Sequence, residues 1–577
     1  MKTADFTLEQ KQYLSGLFAG AKARGVTFAD ISSPESSAPA GSDDSDLCKE
    51  ERLKKVSHPL DAYTNLLEDA RANAAPDADD AFRFKWNGLF WLNPVHEGYM
   101  CRLRIPGGVV TSPQLRELAS IVDELTTGYV QITTRANFQI RAIQPRDCPA
   151  VLRRIQHAGL HSRGAGADNV RNLTATPTSG FDPYELIDVM PFVNELSDVI
   201  VNTREFYDLP RKFNIAFDGG GLISAVEDTN DIGFRAVRIV ENAPGIAPGV
   251  YFRVCLGGVT GHKTFARDWG VLIPPEEVTE TALTILRVFI RDGDRTNRKT
   301  ARLKYLIEKR GLTEFRKDCE SLRGRPFLLM DAADPAVREA EHPAADHPHV
   351  GVYPQRDPGL CYVGAFVPVG QISSVQLRGV ADLADRYGRG EVRLTVWQNL
   401  LIPYVSQTRA QALCEELGGM GLETRQSHLR SGFVACTGNK YCKYASTDTK
   451  GHAIQLMEEL EQRVTLDQPV NIHLTGCPHS CAQHYMGDIG LLGTKVKLGE
   501  DCTVEGYHVT LGGGFGAHQN VGRQIYSSVP FEELPRMLSG ILSVYLTERE
   551  GNESFQSFCN RHGVDELKAL FAEAAHA

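Results

Sequence analysis

Residues 431–446 read SGFVACTGNKYCKYAS and residues 475–493 read TGCPHSCAQHYMGDIGLLG. Between them they carry four cysteines, Cys436 and Cys442 as C-x5-C and Cys477 and Cys481 as C-x3-C. Thiolates are soft ligands, and two close pairs can hold zinc or an iron–sulfur cluster. Zinc sites tend to repeat one short spacing, of about two to four residues, and this pattern does not. Four unrelated core cysteines are the plainer alternative, because a free cysteine packs as a small apolar residue. Gly438, Gly476 and Ala482 flank the pairs, and small residues let backbone lie against a bulky inorganic group. Spacing and setting together point to an iron–sulfur cluster.

Outward from this stretch, the chain of 577 residues has room for about two to four domains. Its net charge of −10 argues against non-specific nucleic-acid binding, which needs a basic surface. No apolar run approaches the roughly 18 residues that span a bilayer, and no signal-peptide pattern opens the chain. Thirteen cysteines without such a signal read as reduced thiols of a cytoplasmic protein. Cys101, Cys255 and Cys361 sit among apolar neighbours and read as core. Residues 1–80 read as a peripheral extension with no chemistry-bearing motif: helical spacing over 8–24, an acidic Pro/Ser-rich linker over 32–46, and a short helix over 65–75.

A second pattern organises the rest. Pro106 and Gly108 reappear as Pro368 and Gly370, and Gln114-Leu115-Arg116 as Gln376-Leu377-Arg378. Gly128, Thr133, Asn137 and Gly159-Leu160 match Gly390, Thr395, Asn399 and Gly421-Leu422. Every pair is 262 positions apart, which marks an internal duplication. Each copy reads strand, helix, strand, helix: 100–105, 112–126, 129–141 and 145–158 in the first. Such alternation predicts an α+β architecture with helices on one face of each sheet, and a shared site between related halves. The strand reading puts Arg102 and Arg104 on one face, and Arg135, Asn137, Gln139 and Arg141 on another.

The two cysteine pairs, in the context TGCP-x-SC-x-QH followed by DIGLLG, resemble the sirohaem- and [4Fe–4S]-containing nitrite/sulfite reductases, over residues 83–522. The resemblance implies a pseudo-twofold duplicated fold. A first ferredoxin-like half would occupy 81–165 and a first sirohaem-reductase-type domain without a cluster 166–335. A linker and second ferredoxin-like half would follow over 336–430, and the cluster- and sirohaem-binding domain over 431–577. It implies Cys436, Cys442 and Cys477 on the cluster, with Cys481 shared between cluster and sirohaem iron. It places Arg102, Arg171, Lys212 and Asn214 about the substrate. Sirohaem carboxylates would be met by Arg135, with Gln139, Arg211 and Lys304 as further contacts. At the position of His479 the family commonly has asparagine.

Sirohaem is rich in carboxylates and its substrates are anions, so fixed cations are what such a site requires, arginine above all. Lys212-Phe213-Asn214 bears on the substrate. Sulfite reductases of the family tend to carry a second lysine two positions on, giving K-x-K, whereas nitrite reductases tend to have asparagine. A dianion such as sulfite gains more from an extra cation than the monoanion nitrite does. The expectation is therefore an assimilatory enzyme that reduces nitrite to ammonium, with sulfite reduction to sulfide as the alternative. A non-catalytic iron–sulfur electron-transfer protein is the alternative of another class. No nucleotide fingerprint occurs, so electrons would come from ferredoxin or a separate reductase to a monomer. Residues 292–311 are dense in basic side chains and read as an amphipathic helix, a set of sirohaem contacts including Arg298, or a docking patch for an acidic carrier. The glycines over 512–516 read as a place of close approach to the cofactor.

Overall fold

The computed structural model describes residues 44–241, 245–343, 347–425, 427–500 and 502–576. The helix expected over 8–24 and most of the linker over 32–46 lie outside them. The chain divides at Leu47. The described part of the first unit holds a 3-10 turn, Asp44–Asp46, and the account below concerns Cys48–Ala577.

The duplication is visible as two five-stranded sheets that each borrow an edge from the other. The first runs Leu89–Trp91, Tyr99–Arg102, Phe138–Ile143, Tyr129–Ile132, and then Gln371–Ser373 from the second copy. The second runs Gly351–Pro354, Leu360–Ala365, Leu400–Ser406, Glu391–Leu394, and then Val109–Thr111 from the first. An exchanged edge strand satisfies backbone groups that would otherwise be open to water and to aggregation. Both borrowed strands lead into helices with the same start. Thr111 with Gln114, and Ser373 with Gln376, form capping boxes that satisfy free amides of Ser112–Leu125 and Ser374–Tyr387. The repeated glutamine is thus the third residue of each helix. Leu115, Leu118, Ala119 and Val122 are buried on the first helix, and Leu377, Val380, Ala381 and Ala384 on the second. Arg116 reaches Asp385 at 2.6 Å and Arg378 reaches Asp123 at 2.6 Å, two ion pairs related by the same twofold.

The segment expected as one strand over 129–141 is instead a hairpin. Thr133 accepts from the amide of Arg135 at 3.1 Å, and Ala136 turns the chain at φ 48°. A hydroxyl taking a nearby amide competes with sheet pairing, so Arg135 sits on a loop rather than in a row with Gln139 and Arg141.

The duplication also extends beyond the sequence repeat. Phe433–Ala435, Ile472–Thr475, Ile489–Lys497, Thr503–Leu511 and Arg523–Pro530 form a sheet whose first three strands are parallel. Thr174–Ala175, Ile215–Asp218, Ile232–Ile239, Gly249–Leu256 and Arg267–Ile273 repeat its order and sense. The amide of Asn471 donates to Asp488 at 2.8 Å, and that of Asn214 to Asp231 at 2.8 Å. Among the described residues no helix is long and apolar enough to cross a membrane.

Candidate active site

Cys436 follows the strand Phe433–Ala435, and its amide donates to Leu474. Cys477 and Cys481 lie in the turns between Ile472–Thr475 and Ile489–Lys497, where Ser480 and Gln483 hold positive φ. Gly476 is required there: a Cβ on it would lie 2.7 Å from that of Ala445. Its amide donates to Cys436 Sγ at 3.2 Å. Burial pushes the Cys477 thiol up to about 12, opposed by a hydrogen bond from the His479 backbone and assisted by Cys481, Cys442 and Cys436. Cys481 is also raised, by burial and then by Cys436, while Lys212 and Arg102 act against this. The four sulfurs therefore share one electrostatic neighbourhood. Yet among the described residues no three His, Cys, Asp or Glu side chains converge tightly enough for a single ion. Four thiols in one neighbourhood are the donor set that an iron–sulfur cluster takes.

The first module shows what the same frame does without thiols. The amide of Gly219 donates to Thr176 Oγ1 at 3.1 Å, the counterpart of the Gly476–Cys436 contact with oxygen for sulfur. Gly220 and Ser224 stand where the second module has Cys477 and Cys481, 257 positions on. Asp218 accepts from the amides of Gly220 and Ala225. That place is closed by the module's own hydrogen bonds.

Facing Cys481 is a group of cations. Arg102, Arg135 and Lys212 each feel its charge, and Arg171 lies beside Arg102. Burial, then repulsion from Arg302, lowers Arg135 to about 10; burial, then Arg302 and Arg171, pulls Lys212 well below the usual lysine range. Burial and Arg102 lower Arg171 likewise. None of these four has a carboxylate within ion-pair distance among the described residues. Asp168, the acid beside Arg171, is held by Arg298 at 2.7 and 2.8 Å, and Asp231 by Arg302 at 2.6 and 3.1 Å. Arg171 Nε is buried without any partner. Half-buried cations that repel one another and lack a carboxylate partner are costly unless an anion completes them. A carboxylate-rich macrocycle with an oxyanion above it fits this set.

The other expected residues are placed as follows. Gln139 accepts from Arg141, whose guanidinium also donates to Gln131 at 2.8 Å and to Thr437 beside Cys436 at 2.7 Å. Arg211 stands 3.7 Å from Asp168. Lys304 donates to Thr264 at 2.9 Å and pairs with Glu308 at 3.5 Å. The side chain of Asn214 is buried two residues after Lys212. Arg104, read from the sequence as a neighbour of Arg102, donates to the carbonyls of Arg163, Gly164, Val170 and Arg171 and so shapes the loop bearing Arg171. Gly513 approaches the carbonyl of Gly487, within 2.4 Å of where its Cβ would be, so these glycines serve the chain's own turn. His479 Nδ1 lies 3.4 Å from Cys477 Sγ, with its ring edge-on to Tyr444.

Sequence reasoning missed the segment that ties the parts together. Residues 227–231, Glu-Asp-Thr-Asn-Asp, are all buried, and each holds a different element. Glu227 takes Arg235; Asp228 takes the Gly516 amide and Gln519; Thr229 takes Gln483; Asn230 takes Arg135 at 2.8 Å; Asp231 takes Arg302 and the Asn214 amide. A run of five polar residues reads as solvated loop, and only a partner for every one of them permits its burial. Gln398 was also missed. At φ 63° its amide donates to the carbonyl of Ala435 at 3.0 Å and accepts its N–H at 2.9 Å, fixing the strand that delivers Cys436. Lys450, pulled down to about 7 by burial and then by Arg141, donates to Val369 beneath the same cysteine.

Fold and site together define a soft-metal redox enzyme with one functional module of a duplicated pair, acting on an anion. The family is shown by comparison. Residues 166–327 and 429–576 match the nitrite and sulphite reductase 4Fe-4S domain, and residues 94–158 and 353–420 the nitrite/sulfite reductase ferredoxin-like half domain. The chain belongs to the nitrite/sulfite reductase family, and its cofactors are a sirohaem and a [4Fe–4S] cluster. It is 37% identical to a ferredoxin–nitrite reductase of Synechococcus elongatus, over 81% of this chain and 90% of the relative. It is 30% identical to a ferredoxin sulfite reductase of Mycolicibacterium paratuberculosis, over 90% and 95%. The structure of Mycobacterium tuberculosis NirA superposes with a TM-score of 0.83 at 30% identity, covering 90% of this chain and 97% of that one.

Proposed function

We propose that this enzyme reduces nitrite to ammonium, a six-electron reaction consuming eight protons and yielding two waters, with electrons from ferredoxin. The observation that carries the choice of anion is Lys212-Phe213-Asn214. The site has one lysine where a sulfite-type K-x-K has two, and a buried neutral amide at the second place. Several ferredoxin–nitrite reductases among its relatives agree with this, and ferredoxin as donor rests on them.

In this reading Cys436, Cys442, Cys477 and Cys481 hold the cluster, and Cys481 also ligates the sirohaem iron. Arg135, with Gln139, Arg211 and Lys304 around it, meets sirohaem carboxylates. When bound, the two cofactors supply single electrons to the nitrogen of the substrate. Arg102, Arg171 and Lys212 bind the anion, and their missing carboxylate partners leave their charge available to it. Lys212, already disposed by burial to lose its proton, hands it to an oxygen as an N–O bond breaks, and is then recharged from water. Asn214 donates to the anion without adding charge. The enzyme works as a cytoplasmic monomer, where thiols stay reduced. The test is turnover of purified holoenzyme with reduced methyl viologen and each anion in turn: ammonium formation with poor sulfide formation is expected, and the reverse order overturns the assignment.

A further inference from the structure

Lys212 makes no hydrogen bond or ion pair of its own among the described residues, so the backbone before it must set where its ammonium stands. That backbone is gripped from a distant part of the chain. The helix Lys49–Val56 lays Lys54 against the segment leading into Lys212. Its Nζ donates to the carbonyl of Leu209 at 2.9 Å and pairs with Asp208 at 3.0 Å and Glu51 at 2.5 Å. Arg295 closes the group from the other side, reaching Glu51 at 2.5 Å, Asp208 Oδ1 at 3.2 Å and the Asp208 carbonyl at 2.9 Å. Its own carbonyl takes the amide of Cys48 at 3.1 Å. A second line runs from Glu50 to Arg298 at 3.3 Å, through Asp168, to Arg211 at 3.7 Å. The side chains of Lys54 and Glu51 are each only 4% exposed, which removes them from the class of surface pairs that contribute little.

We infer that Lys49–Val56 is a positioning element of the active site, an ionic clasp in which Glu51 and Lys54 fix residues 208–212 and thereby the place of the Arg211 and Lys212 cations. A buried pair inserted between a helix and a loop is poorly suited to mere adhesion, since well-packed apolar residues hold as strongly; its geometric specificity is what apolar contact lacks. Pro210 stiffens the same segment, so displacement at Leu209 is passed on to Lys212 rather than absorbed. The inference rests on the proposed role of Lys212 in binding an anion.

The experiment uses full-length holoenzyme as wild type, Lys54→Met, Glu51→Gln, Lys54→Arg and, as control, Lys49→Ala, whose pair with Asp79 is exposed. Absorption, thermal melting, hydrogen exchange at 208–212, and binding and turnover of nitrite and of sulfite are measured. Lys54→Met and Glu51→Gln are expected to raise KM and Kd for the substrate anion about tenfold, to speed exchange at 208–212, and to retain cofactor absorption; Lys54→Arg should recover most of the loss and Lys49→Ala show none. A fall in melting temperature with KM, Kd and exchange unaltered in Glu51→Gln overturns the clasp, as does unaltered exchange in a folded Lys54→Met. Absence of binding of either anion to wild type counts against the proposed reaction instead.

Discussion

The hydroxyl of Thr134 donates to the carbonyl of Cys481 at 2.9 Å, across 347 positions of chain. The loop that carries Arg135 is thus fastened to the residue assigned to both cofactors, and cation and thiolate are set in one frame. Thr134→Val keeps the shape and removes the bond. A loss of about 1 kcal/mol is the usual scale for one such contact, so melting should change little. The coupling between cluster and sirohaem signals in electron paramagnetic resonance should weaken, and an unaltered spectrum would show that the loop has no bearing on Cys481.

Asn214 decides between anions in the proposed reading. Asn214→Lys creates K-x-K and adds charge at a buried place two residues from Lys212. Sulfite turnover relative to nitrite is expected to rise by roughly tenfold, the effect of about 1.4 kcal/mol in differential binding. A ratio that stays level in the paired assay would take specificity away from this position.

His479 brings a nitrogen within 3.4 Å of Cys477 Sγ. Hydrogen bonds to cluster sulfurs stabilise the more negative, reduced state. His479→Ala should therefore lower the cluster's reduction potential, and His479→Asn, which keeps a donor, should restore most of it. A spectroscopic redox titration reads this directly; equal potentials in all three proteins would make the side chain a bystander.

Gln398 satisfies both backbone groups of Ala435. In Gln398→Ala they are left buried and unmet, at roughly 1–3 kcal/mol each. The variant should purify with less iron and labile sulfide than wild type and should melt earlier. Full iron content would show that the strand before Cys436 needs no such clamp.

Asp228 is raised to about 7 by burial, then by Glu227, with Gln519 and the Gly516 amide acting the other way. The folded protein keeps this proton up to about pH 7, whereas the unfolded chain releases it near pH 4. Its contribution to stability is complete below the unfolded value and is lost as pH rises through the folded one. Asp228→Asn is uncharged throughout, so its melting temperature relative to wild type should climb between about pH 4 and pH 7 and level off above. A constant difference across that range would mean that burial does not hold the proton on this carboxylate.

Arg135 and Arg104 show where reading from sequence stops. Strand periodicity assigned Arg135 to a row with Gln139 and Arg141, but the Thr133 hydroxyl takes the Arg135 amide and turns the chain, so the row breaks. Arg104 does share a side with Arg102, yet its guanidinium is used on four carbonyls, which no alternation pattern can reveal. The repeat was legible in the two ferredoxin-like halves, where capping glutamines and turn residues are retained. In the reductase modules it survives only as strand order and as pairs such as Asn214–Asp231 and Asn471–Asp488.

By itself the order of residues determined the four thiols and their unequal spacing, the twofold repeat, and a first half rich in arginine. These are local or periodic properties, written in neighbouring positions. Tertiary structure alone decided which arginines lack an acid to pair with, that residues 227–231 are an interior hub, and that Glu51 and Lys54 grip the approach to Lys212. Charge partnership and burial depend on what arrives from hundreds of positions away, and a buried ion's meaning changes entirely with whether its counter-ion arrives too.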